Sequence, residues 1–466
     1  MYTTRLSSLA SLLGLLCCSA LAISSPHHGA HQHIRHPEKR LLVNTFKEPI
    51  SVTGDHAFQP PGEGDQRGPC MVTDMHLDLI PVLTVFFLRS WAECSRKPCM
   101  ATKRHLYLNL MLTFSSGQGY IPRDGVVSFL GAITAMNEVY GVSLELGTIL
   151  AVMGVVWTGN PVSLNPSFSI GGNDTEVQNL LGNLLGVLGS PRGLDHSHNF
   201  IEADSSPTRD DLYVTGNPVT MNLTKFETLY DMVAEDSNQT FTLDVMSDFA
   251  EVRWKETIST NPYFYYGPVT GMLARNTGFC FIGNLFANYS AENPSGALTH
   301  DILKNFFGVS GDRSNFTYQI GHERIPENWY KTTVDYGLVQ LNLDVVYFVT
   351  RYPHFASVGG NVGKVNSFTG VDLADPAGGV LNGLDLLKSN NLLCFVLEVV
   401  NFAAPNYLND LVSTLAEPLK ILTDAIAAPL LNMSCPQLDE ITRDGVPLWE
   451  SLGAQFPGAN RSGSAL

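Results

Sequence analysis

Two sets of residues in this sequence have the types and spacing that metal or redox chemistry needs. The first is a single cysteine, Cys70, which ends a lead rich in Pro and Gly (residues 61–69, PGEGDQRGP). A cysteine here is either half of a disulfide or a thiolate ligand to heme iron. A thiolate ligand donates electron density to the iron and favours O–O cleavage in a peroxide. Backbone N–H groups of such a turn keep a thiolate deprotonated.

The second set is a polar segment, residues 193–211, which lies between stretches of helical periodicity. It carries carboxylates, imidazoles and hydroxyls at close spacing, among them Glu202, Asp204 and Ser206. Carboxylate and hydroxyl oxygens, together with a backbone carbonyl, are ligands that suit Mg²⁺ or Mn²⁺. The spacing therefore indicates a hard-cation site in a loop.

Two other interpretations of the same segment stay open at this stage. His196 and His198 form a His-x-His pair, which suits a softer metal ion. Alternatively, the segment is a solvated loop in which Ser206 and Thr208 cap a following helix. The three interpretations differ in which side chains they bury.

The elements that must position these residues are mainly helices. Apolar residues recur at helical spacing over residues 126–157, with a break at Tyr140-Gly141 that separates two helices. Residues 244–260 are predicted to form a long helix that stops at Asn261-Pro262, because helical geometry is disfavoured just before a proline. Further helical patterns lie at 300–307, 334–348 (helix or strand) and 381–431. Without an internal repeat, the sequence predicts a mainly α, single-domain fold with little β.

Composition limits the possible functions. Hydrophobic residues make up 44% of the chain and the mean hydropathy is +0.05, so the chain can build an apolar core. The formal net charge is −16 at pH 7. This charge argues against nucleic acid as a partner, because phosphate binding needs clustered Lys and Arg.

The N-terminus has the features of a secretory leader. Arg5 precedes an apolar run and small residues at 20–22 suit cleavage, so residues 1–22 are predicted to be a signal peptide. The apolar run is too short to span a bilayer. Residues 23–40 are rich in His, end in Lys39-Arg40, and are predicted to be a propeptide. Seven glycosylation sequons support a secreted, extracellular glycoprotein: Asn173, Asn222, Asn238, Asn288, Asn315, Asn432 and Asn460.

Four motifs, in order along the chain, resemble the fungal heme-thiolate peroxidases, which include chloroperoxidase and the unspecific aromatic peroxygenases. The resemblance covers residues 56–70 and 119–440, and it implies the helical fold of that family and a heme b cofactor. The motifs are the lead ending at Cys70, the turn at 119–125 (GYIPRDG), Glu202-Ala203-Asp204 with Ser206 and Thr208-Arg209, and the Gly-rich element at 361–367.

The resemblance also implies roles for individual residues. Cys70 is then the axial ligand of the heme iron. Glu202, the Ala203 carbonyl and Ser206 hold a Mg²⁺ ion (or Mn²⁺) against a heme propionate. Cys394 and Cys435 correspond to a C-terminal disulfide of the longer family members. The implied domain covers residues 41–440, followed by a C-terminal tail at 441–466.

The sequence departs from the family at the distal acid. Peroxide heterolysis needs a group that moves a proton between the two peroxide oxygens. In the family this group is a Glu that follows the Asn-Pro step, and here Gly278 or a close neighbour takes its place. No carboxylate lies between Thr257 and Ala291, and Arg275 is the only charged residue in that stretch. Arg275 is therefore the candidate catalytic residue, as a group that stabilises a peroxide anion; alternatively, it is a surface or propionate-pairing arginine.

Residues 71–118 depart further from the family pattern. They carry five basic and three acidic residues in an otherwise acidic chain, and they separate Cys70 from the turn at 119–125. At the end of this segment, Gln118 stands where the family has a His. We interpret the segment as an anomalous insert, a translated intron. Its Pro98-Cys99 step repeats Pro69-Cys70, so Cys99 is an alternative ligand.

Together these observations predict a secreted heme-thiolate oxidoreductase that uses H₂O₂ to oxidise or oxygenate small apolar or aromatic substrates. Two alternatives stay open. One is a heme binder whose catalysis is impaired by the missing distal Glu, and the other is a non-enzymatic glycoprotein whose Cys70 is disulfide-bonded. Six aromatic residues after the Asn-Pro step line a substrate channel or belong to the core: Phe264, Tyr265, Tyr266, Phe279, Phe281 and Phe286.

Overall fold

The computed structural model describes residues 48–60, 112, 115–160, 163, 165–177, 191–199, 201–370, 442–443 and 446–461. Several predicted features lie outside these residues: the signal peptide, the propeptide, the helices at 381–431, Cys70, Cys99, Cys394, Cys435 and Asn432.

Helices dominate the described structure, so the predicted mainly α class is confirmed. They are α1 (Phe129–Tyr140), α2 (Leu144–Thr158), α3 (Leu212–Thr215), α4 (Leu223–Tyr230), α5 (Leu243–Thr260), α6 (Asn276–Leu285), α7 (His300–Phe306), α8 (Leu338–Arg351) and α9 (Leu448–Gln455). A π-helix, Pro268–Arg275, leads directly into α6. Short 3₁₀ turns lie at Gly54–His56, Leu194–His196, Pro353–Ala356 and Ala459–Arg461.

The strands are short and antiparallel, as the expectation of little β requires. They are β1 (Val126–Ser128), β2 (Ser167–Ser169), β3 (Tyr265–Tyr266), β4 (Val309–Ser310), β5 (Thr317–Tyr318), β6 (Gly359–Gly360), β7 (Thr369–Gly370), β8 (Thr442–Arg443) and β9 (Val446–Pro447). β1 pairs with β2, β4 with β5 and β8 with β9, while β6 lies between β3 and β7. The β3–β6 pairing, with Tyr265 opposite Gly360, joins the chain after the Asn-Pro step to the Gly-rich element.

The predicted break between the first two helices is confirmed, and its causes are local. Gly141 ends α1 with φ 70°, a left-handed conformation that glycine adopts without a Cβ penalty. Ser143 then begins α2, where its hydroxyl accepts a hydrogen bond from Leu146 N (3.2 Å). α1 and α2 pack against each other in the core.

The predicted long helix is also confirmed, as α5. Thr242 caps its start by accepting from Val245 N (3.4 Å), and the helix ends at Thr260, before Asn261-Pro262. α5 packs on α6, and α6 packs on α8, which resolves the ambiguous pattern near residue 340 in favour of a helix. The six aromatic residues after the Asn-Pro step all belong to the buried core and are at most 3% exposed.

The turn at 119–125 is held by hydrogen bonds to its own neighbours and to the described N-terminal residues 48–60. Arg123 donates to the carbonyls of Gly117 (2.6 Å) and Asp55 (2.8 Å). Gln118 is buried, and its side-chain oxygen accepts from Ile325 N (2.9 Å), which gives this glutamine a structural role. Residues 115–118, the end of the segment interpreted as an insert, are therefore part of the packed structure.

The C-terminal residues also pack into the core. Leu452, Phe456 and Ala459 are buried in the same apolar cluster as α1, α2 and α5. The boundary at residue 440 therefore does not mark the end of the packed structure. Among the described residues, none of the helices combines the length and apolar character needed to cross a bilayer.

Candidate active site

The polar segment around Glu202 is buried. Glu202 is 2% exposed and Asp204 is 1% exposed, so the interpretation as a solvated loop is wrong. The helix-cap interpretation is also wrong, because α3 begins after Asp211 and not after Ser206 or Thr208. His196 is exposed whereas His198 is buried, so the two imidazoles do not face one site.

His198 and Glu202 form a close pair at the centre of this loop. The Nδ1 atom of His198 contacts Oε2 of Glu202. The backbone fixes the same spacing, because Asn199 N donates to Glu202 O (2.8 Å) and Glu202 N donates to Ser197 O (3.1 Å). Asn199 is held at φ 62°, a conformation that costs energy for a residue other than glycine and that clusters at functional sites.

Burial and neighbouring charges shift the pKa values of this loop. Burial opposes the charged imidazolium of His198, but the Glu202 carboxylate, together with Asp204 and Asp211, outweighs it and raises the pKa of His198 to about 9. Burial and the Asp211 carboxylate hold the pKa of Asp204 well above its usual range. The closely spaced carboxylates of this buried loop thus contribute to raising both pKa values.

Two buried arginines from neighbouring elements donate hydrogen bonds to the backbone of this loop. Arg275, at the end of the π-helix, donates to the carbonyl of Ser205 (3.1 Å) and to its hydroxyl (3.0 Å). Arg253, on α5, donates to the carbonyls of Ser206 (2.9 Å) and Arg209 (3.1 Å). Ser205 has φ 62°, and the guanidinium bonds help to hold this unfavourable conformation.

Arg275 is completely buried, so the alternative of a surface arginine is wrong. Besides Ser205, it donates to the carbonyl of Ala250 (2.5 Å) and to Oδ1 of Asn276 (3.0 Å). Its guanidinium carbon lies 4.8 Å from the ring centroids of both Phe279 and Phe355. These contacts give Arg275 a role in holding the loop, and its catalytic role stays a prediction.

Three motifs that are far apart in sequence converge on this loop. Asp211 accepts from Ser205 N (2.8 Å) with one oxygen and from the Asn261 side chain (3.1 Å) with the other. The side chain of Asn361 donates to the carbonyl of Asn261 (2.7 Å), and its own oxygen accepts from Ser367 N (3.1 Å). The Glu202 motif, the Asn-Pro step and the Gly-rich element thus form one assembly.

The C-terminal turn covers the same loop, which the sequence does not reveal. Asn199 donates to the carbonyl of Gly458 (3.2 Å), and the hydroxyl of Tyr213 donates to the carbonyl of Arg461 (2.9 Å). The Arg461 guanidinium lies 3.8 Å from the ring centroid of Tyr263. Tyr213 and Arg461 are 248 positions apart, so no local pattern could have paired them.

Buried polar side-chain atoms without a hydrogen-bond partner concentrate on this loop and on residues 265–277. We call residues 265–277 the facing stretch, because Tyr265 N and the Arg275 side chain donate to Asp204 and Ser205 of the loop. On the loop they include Nε2 of His198, Oε1 of Glu202 and Oδ1 of Asp204. On the facing stretch they include the hydroxyls of Tyr265, Thr270 and Thr277. Folded proteins pair nearly all buried polar groups, so such a concentration fits a site that receives a polar or charged group.

The donor set on the loop fits a hard cation. Glu202 offers one unpartnered carboxylate oxygen, and Ala203 and Ser206 are buried beside it in the chain. Among the described residues, no group of three or more His, Cys, Asp or Glu side chains could hold a metal ion. The implied ligand set contains only one such side chain, Glu202, because its other ligands are a carbonyl and a hydroxyl. The absence of a larger cluster is therefore compatible with this set.

The position expected for the distal Glu directly follows the facing stretch. Gly278 is buried in the first turn of α6, directly after Thr277. The π-helix that precedes α6 is a rare geometry that often marks functional sites. This stretch therefore offers hydroxyl groups and no carboxylate.

Comparison with known proteins adds independent information. Residues 108–334 match the family model described as "Peroxidase, family 2". An aromatic peroxidase from Fusarium equiseti is 43% identical over 472 residues, which cover 97% of this chain and 99% of the relative. The family match begins inside the segment 71–118, in agreement with the burial of residues 115–118.

Two further relatives extend the comparison. A dothistromin biosynthesis peroxidase from Dothistroma septosporum is 33% identical over 449 residues, covering 94% of this chain and 97% of the relative. An aromatic peroxygenase from Coprinellus radians is 30% identical over 214 residues, covering 45% of this chain and 62% of the relative. The similarity to the first two relatives extends along nearly the whole chain.

Proposed function

Because this chain belongs to the fungal heme-thiolate peroxidase family and is a peroxidase or peroxygenase, we propose that it uses H₂O₂ to oxidise or oxygenate an aromatic small molecule at a heme b bound through Cys70. The observation that carries this proposal is the concentration of unpartnered buried polar atoms on two facing stretches. The family match supports the heme, and the names of two relatives support an aromatic substrate.

The loop around Glu202 would hold the cation of this site. Oε1 of Glu202, the Ala203 carbonyl and the Ser206 hydroxyl would bind Mg²⁺ or Mn²⁺, and this cation would offset the negative charge of a heme propionate. Arg253 and Arg275 hold the backbone of these ligands by hydrogen bonds to Ser206 O and Ser205 O. These hydrogen bonds hold the backbone from which the chain would present its oxygen ligands.

When bound, heme with a thiolate ligand supplies the electron donation that favours O–O cleavage in a peroxide. The protein itself contributes buried surroundings, in which side chains pack closely beside the Glu202 loop. Tyr265 and Phe456 close the packing beside the loop, with ring centroids 6.2 Å apart, and Tyr265 N donates to Oδ2 of Asp204 (3.3 Å). Exclusion of water strengthens the electrostatic interactions inside such a site.

Proton movement in this site differs from that of the family pattern. The stretch that should carry the distal Glu has hydroxyls at Thr270 and Thr277, which donate and accept hydrogen bonds but have no pKa near neutrality. Hydroxyls relay a proton less effectively than a carboxylate tuned to the working pH. We therefore expect slow peroxide consumption.

Heme ligation is tested on the purified, heme-loaded protein. The CO-bound ferrous form should show the red-shifted Soret band of a thiolate ligand, Cys70→Ser should abolish that shift, and Cys99→Ser should leave it. If Cys99→Ser abolished the red shift and Cys70→Ser left it, the axial ligand would be Cys99 in the repeated Pro-Cys step. A wild-type protein without any heme band would overturn the proposal in favour of a non-enzymatic glycoprotein.

Turnover is tested with H₂O₂ and matched aromatic and aliphatic substrates of similar size. We expect oxidised aromatic products that require peroxide, and an increased rate for Gly278→Glu, since that change restores a carboxylate at the distal position. The matched control is Gly278→Gln, which adds the same volume without an ionisable group. Heme binding without any peroxide-dependent product in wild type would favour the impaired heme binder.

We also propose that the protein is exported. The support is the leader-like residues 1–22 and the seven sequons. Expression of the full chain in a fungal host should place the protein in the medium, with its N-terminus after residue 22 or after Lys39-Arg40. Recovery only inside the cells would refute the proposal.

A further inference from the structure

We propose that His198 is a positioning residue that directs the carboxylate of Glu202 toward the cation. This inference rests on the proposed function, because Glu202 acts as a ligand only if the loop binds a cation. It adds a residue outside the implied ligand set of Glu202, Ala203 and Ser206.

The first observation is that the two carboxylate oxygens of Glu202 have different surroundings. Oε2 contacts Nδ1 of His198, whereas Oε1 is buried and has no hydrogen-bond partner. Holding one oxygen fixes the plane of the carboxylate, so the direction of the other oxygen is set as well. A ligand that is fixed in this way loses little side-chain entropy when the cation binds.

The second observation is that the His198 ring is itself held in place. Tyr213 lies edge-on to it, with ring centroids 5.4 Å apart and planes at 75°. Tyr213 is fixed in turn through its hydroxyl, which donates to Arg461 O (2.9 Å). The side chain of His198 is only 6% exposed, so it cannot turn freely toward solvent.

The third observation is that the backbone sets the same pair independently. Residues 198 and 202 form a bridge in the loop, with Asn199 N donating to Glu202 O (2.8 Å). The side chains of His198 and Glu202 are thus brought together in a non-helical loop, where a spacing of four residues would not otherwise make them neighbours. The loop backbone and the imidazole act on the same carboxylate.

The comparison of two amide variants separates this role from simple packing. In His198→Asn the amide nitrogen takes the place of Nδ1 and can donate to Glu202 Oε2. In His198→Gln the amide nitrogen lies near the former position of Nε2 and misses that oxygen. Both changes introduce a neutral amide, so they share the loss of the imidazole and differ in where the donor lies. His196→Gln, at the exposed neighbour, is the control.

The measurement is a titration of heme-loaded, cation-stripped protein with Mn²⁺ alone, followed by the electron paramagnetic resonance signal of free Mn²⁺. Loss of a residue that orients a ligand typically weakens metal binding about 10- to 100-fold. We expect His198→Gln to raise the Kd for Mn²⁺ by that factor, and His198→Asn and His196→Gln to stay within about threefold of wild type. Soret spectra and thermal unfolding of each variant confirm heme content and folding.

Each outcome bears on the proposal. Equal weakening in His198→Asn and His198→Gln, or no weakening in His198→Gln, would overturn the positioning role. A wild-type protein with a thiolate-type Soret band but no Mn²⁺ binding would overturn this inference and leave the heme-thiolate function intact. A wild-type protein without a heme band would overturn the proposed function, while its Mn²⁺ titration would still decide whether His198 positions Glu202.

Discussion

Replacing Arg275 by methionine tests whether this arginine holds the loop around Glu202. Methionine keeps an unbranched side chain of similar reach but removes the guanidinium. The Ser205 carbonyl and the Asn276 side-chain oxygen would lose donors at 3.1 Å and 3.0 Å in a fully buried location. The other two acceptors are left out of the cost, because the Ala250 carbonyl lies inside α5 and the Ser205 hydroxyl can rotate. The contacts of the guanidinium with the Phe279 and Phe355 rings would also be lost.

The expected cost follows from these losses. A buried acceptor left without a partner costs about 1–3 kcal/mol, so two of them cost about 2–6 kcal/mol. The lost cation–π contacts add about 1 kcal/mol, and removal of a buried charge from its desolvated location offsets part of the sum. We expect Arg275→Met to lower the free energy of unfolding by about 3–4 kcal/mol.

Urea unfolding of the heme-loaded protein, followed by tryptophan fluorescence and the Soret band, measures this change. Arg351→Met is the matched control, because Arg351 is exposed and its ion pairs with Asp244 and Asp248 are expected to contribute less than about 1 kcal/mol. A loss below about 1 kcal/mol for Arg275→Met would refute the positioning role. Unchanged stability with a large loss of peroxide turnover would instead support the catalytic role.

Three further predictions concern modification, the C-terminal turn and acid stability. Among the described sequons, glycans are expected at the exposed Asn173, Asn238 and Asn315. They are not expected at Asn222 or Asn288, because the amide nitrogens of these residues donate to Asp210 (3.0 Å) and to Asn328 O (3.3 Å). Peptide mapping after deglycosylation in ¹⁸O water identifies the glycosylated sites. Arg461→Ala should speed backbone hydrogen exchange in residues 197–204, because it removes the contact with Tyr263. Lys225 makes ion pairs with Asp210 and Glu256, both at 2.7 Å, and Lys225→Gln should cost about 1 kcal/mol at pH 6, a value discounted for solvent screening.

The pKa of Asp210 determines how the stabilisation by Lys225 changes with pH. Burial opposes its ionisation, but Lys225 outweighs burial and lowers this pKa in the folded protein. The stabilisation is therefore present above the unfolded pKa of about 3.9 and is lost as the pH falls through the folded value, so wild type and Lys225→Gln should converge in acid. A constant difference down to pH 2 would contradict this reasoning.

The other two predictions have equally clear contrary results. ¹⁸O label at Asn222 or Asn288 would show that their amide hydrogen bonds do not protect them. Unchanged exchange in residues 197–204 of Arg461→Ala would show that the C-terminal turn does not hold the loop. Arg461→Lys, which keeps the charge without the planar guanidinium, separates stacking on Tyr263 from simple electrostatics.

Much of the fold and part of the site followed from the sequence, because the signals are local. Gly141 and Pro262 end helices through their own backbone restrictions, and the apolar period of α1 and α2 is complete within each helix. The motif around Glu202 indicated a cation site through the types of its oxygen ligands. Such signals depend on neighbours within a few residues, so no tertiary contact is needed to detect them.

Only the tertiary structure decided which partners these residues have. It buried the polar segment that the sequence left open as a solvated loop, and it turned Arg275 inward to Ser205, which is 70 positions away. It also placed the C-terminal turn on Tyr213, across 248 positions. The sequence determined the family and the helices, since these depend on local chemistry, and the cation ligands stay a prediction. The partners of His198, Arg275 and Arg461 depended on how distant segments share one core, because burial makes each unpaired polar group costly and so selects the pairing.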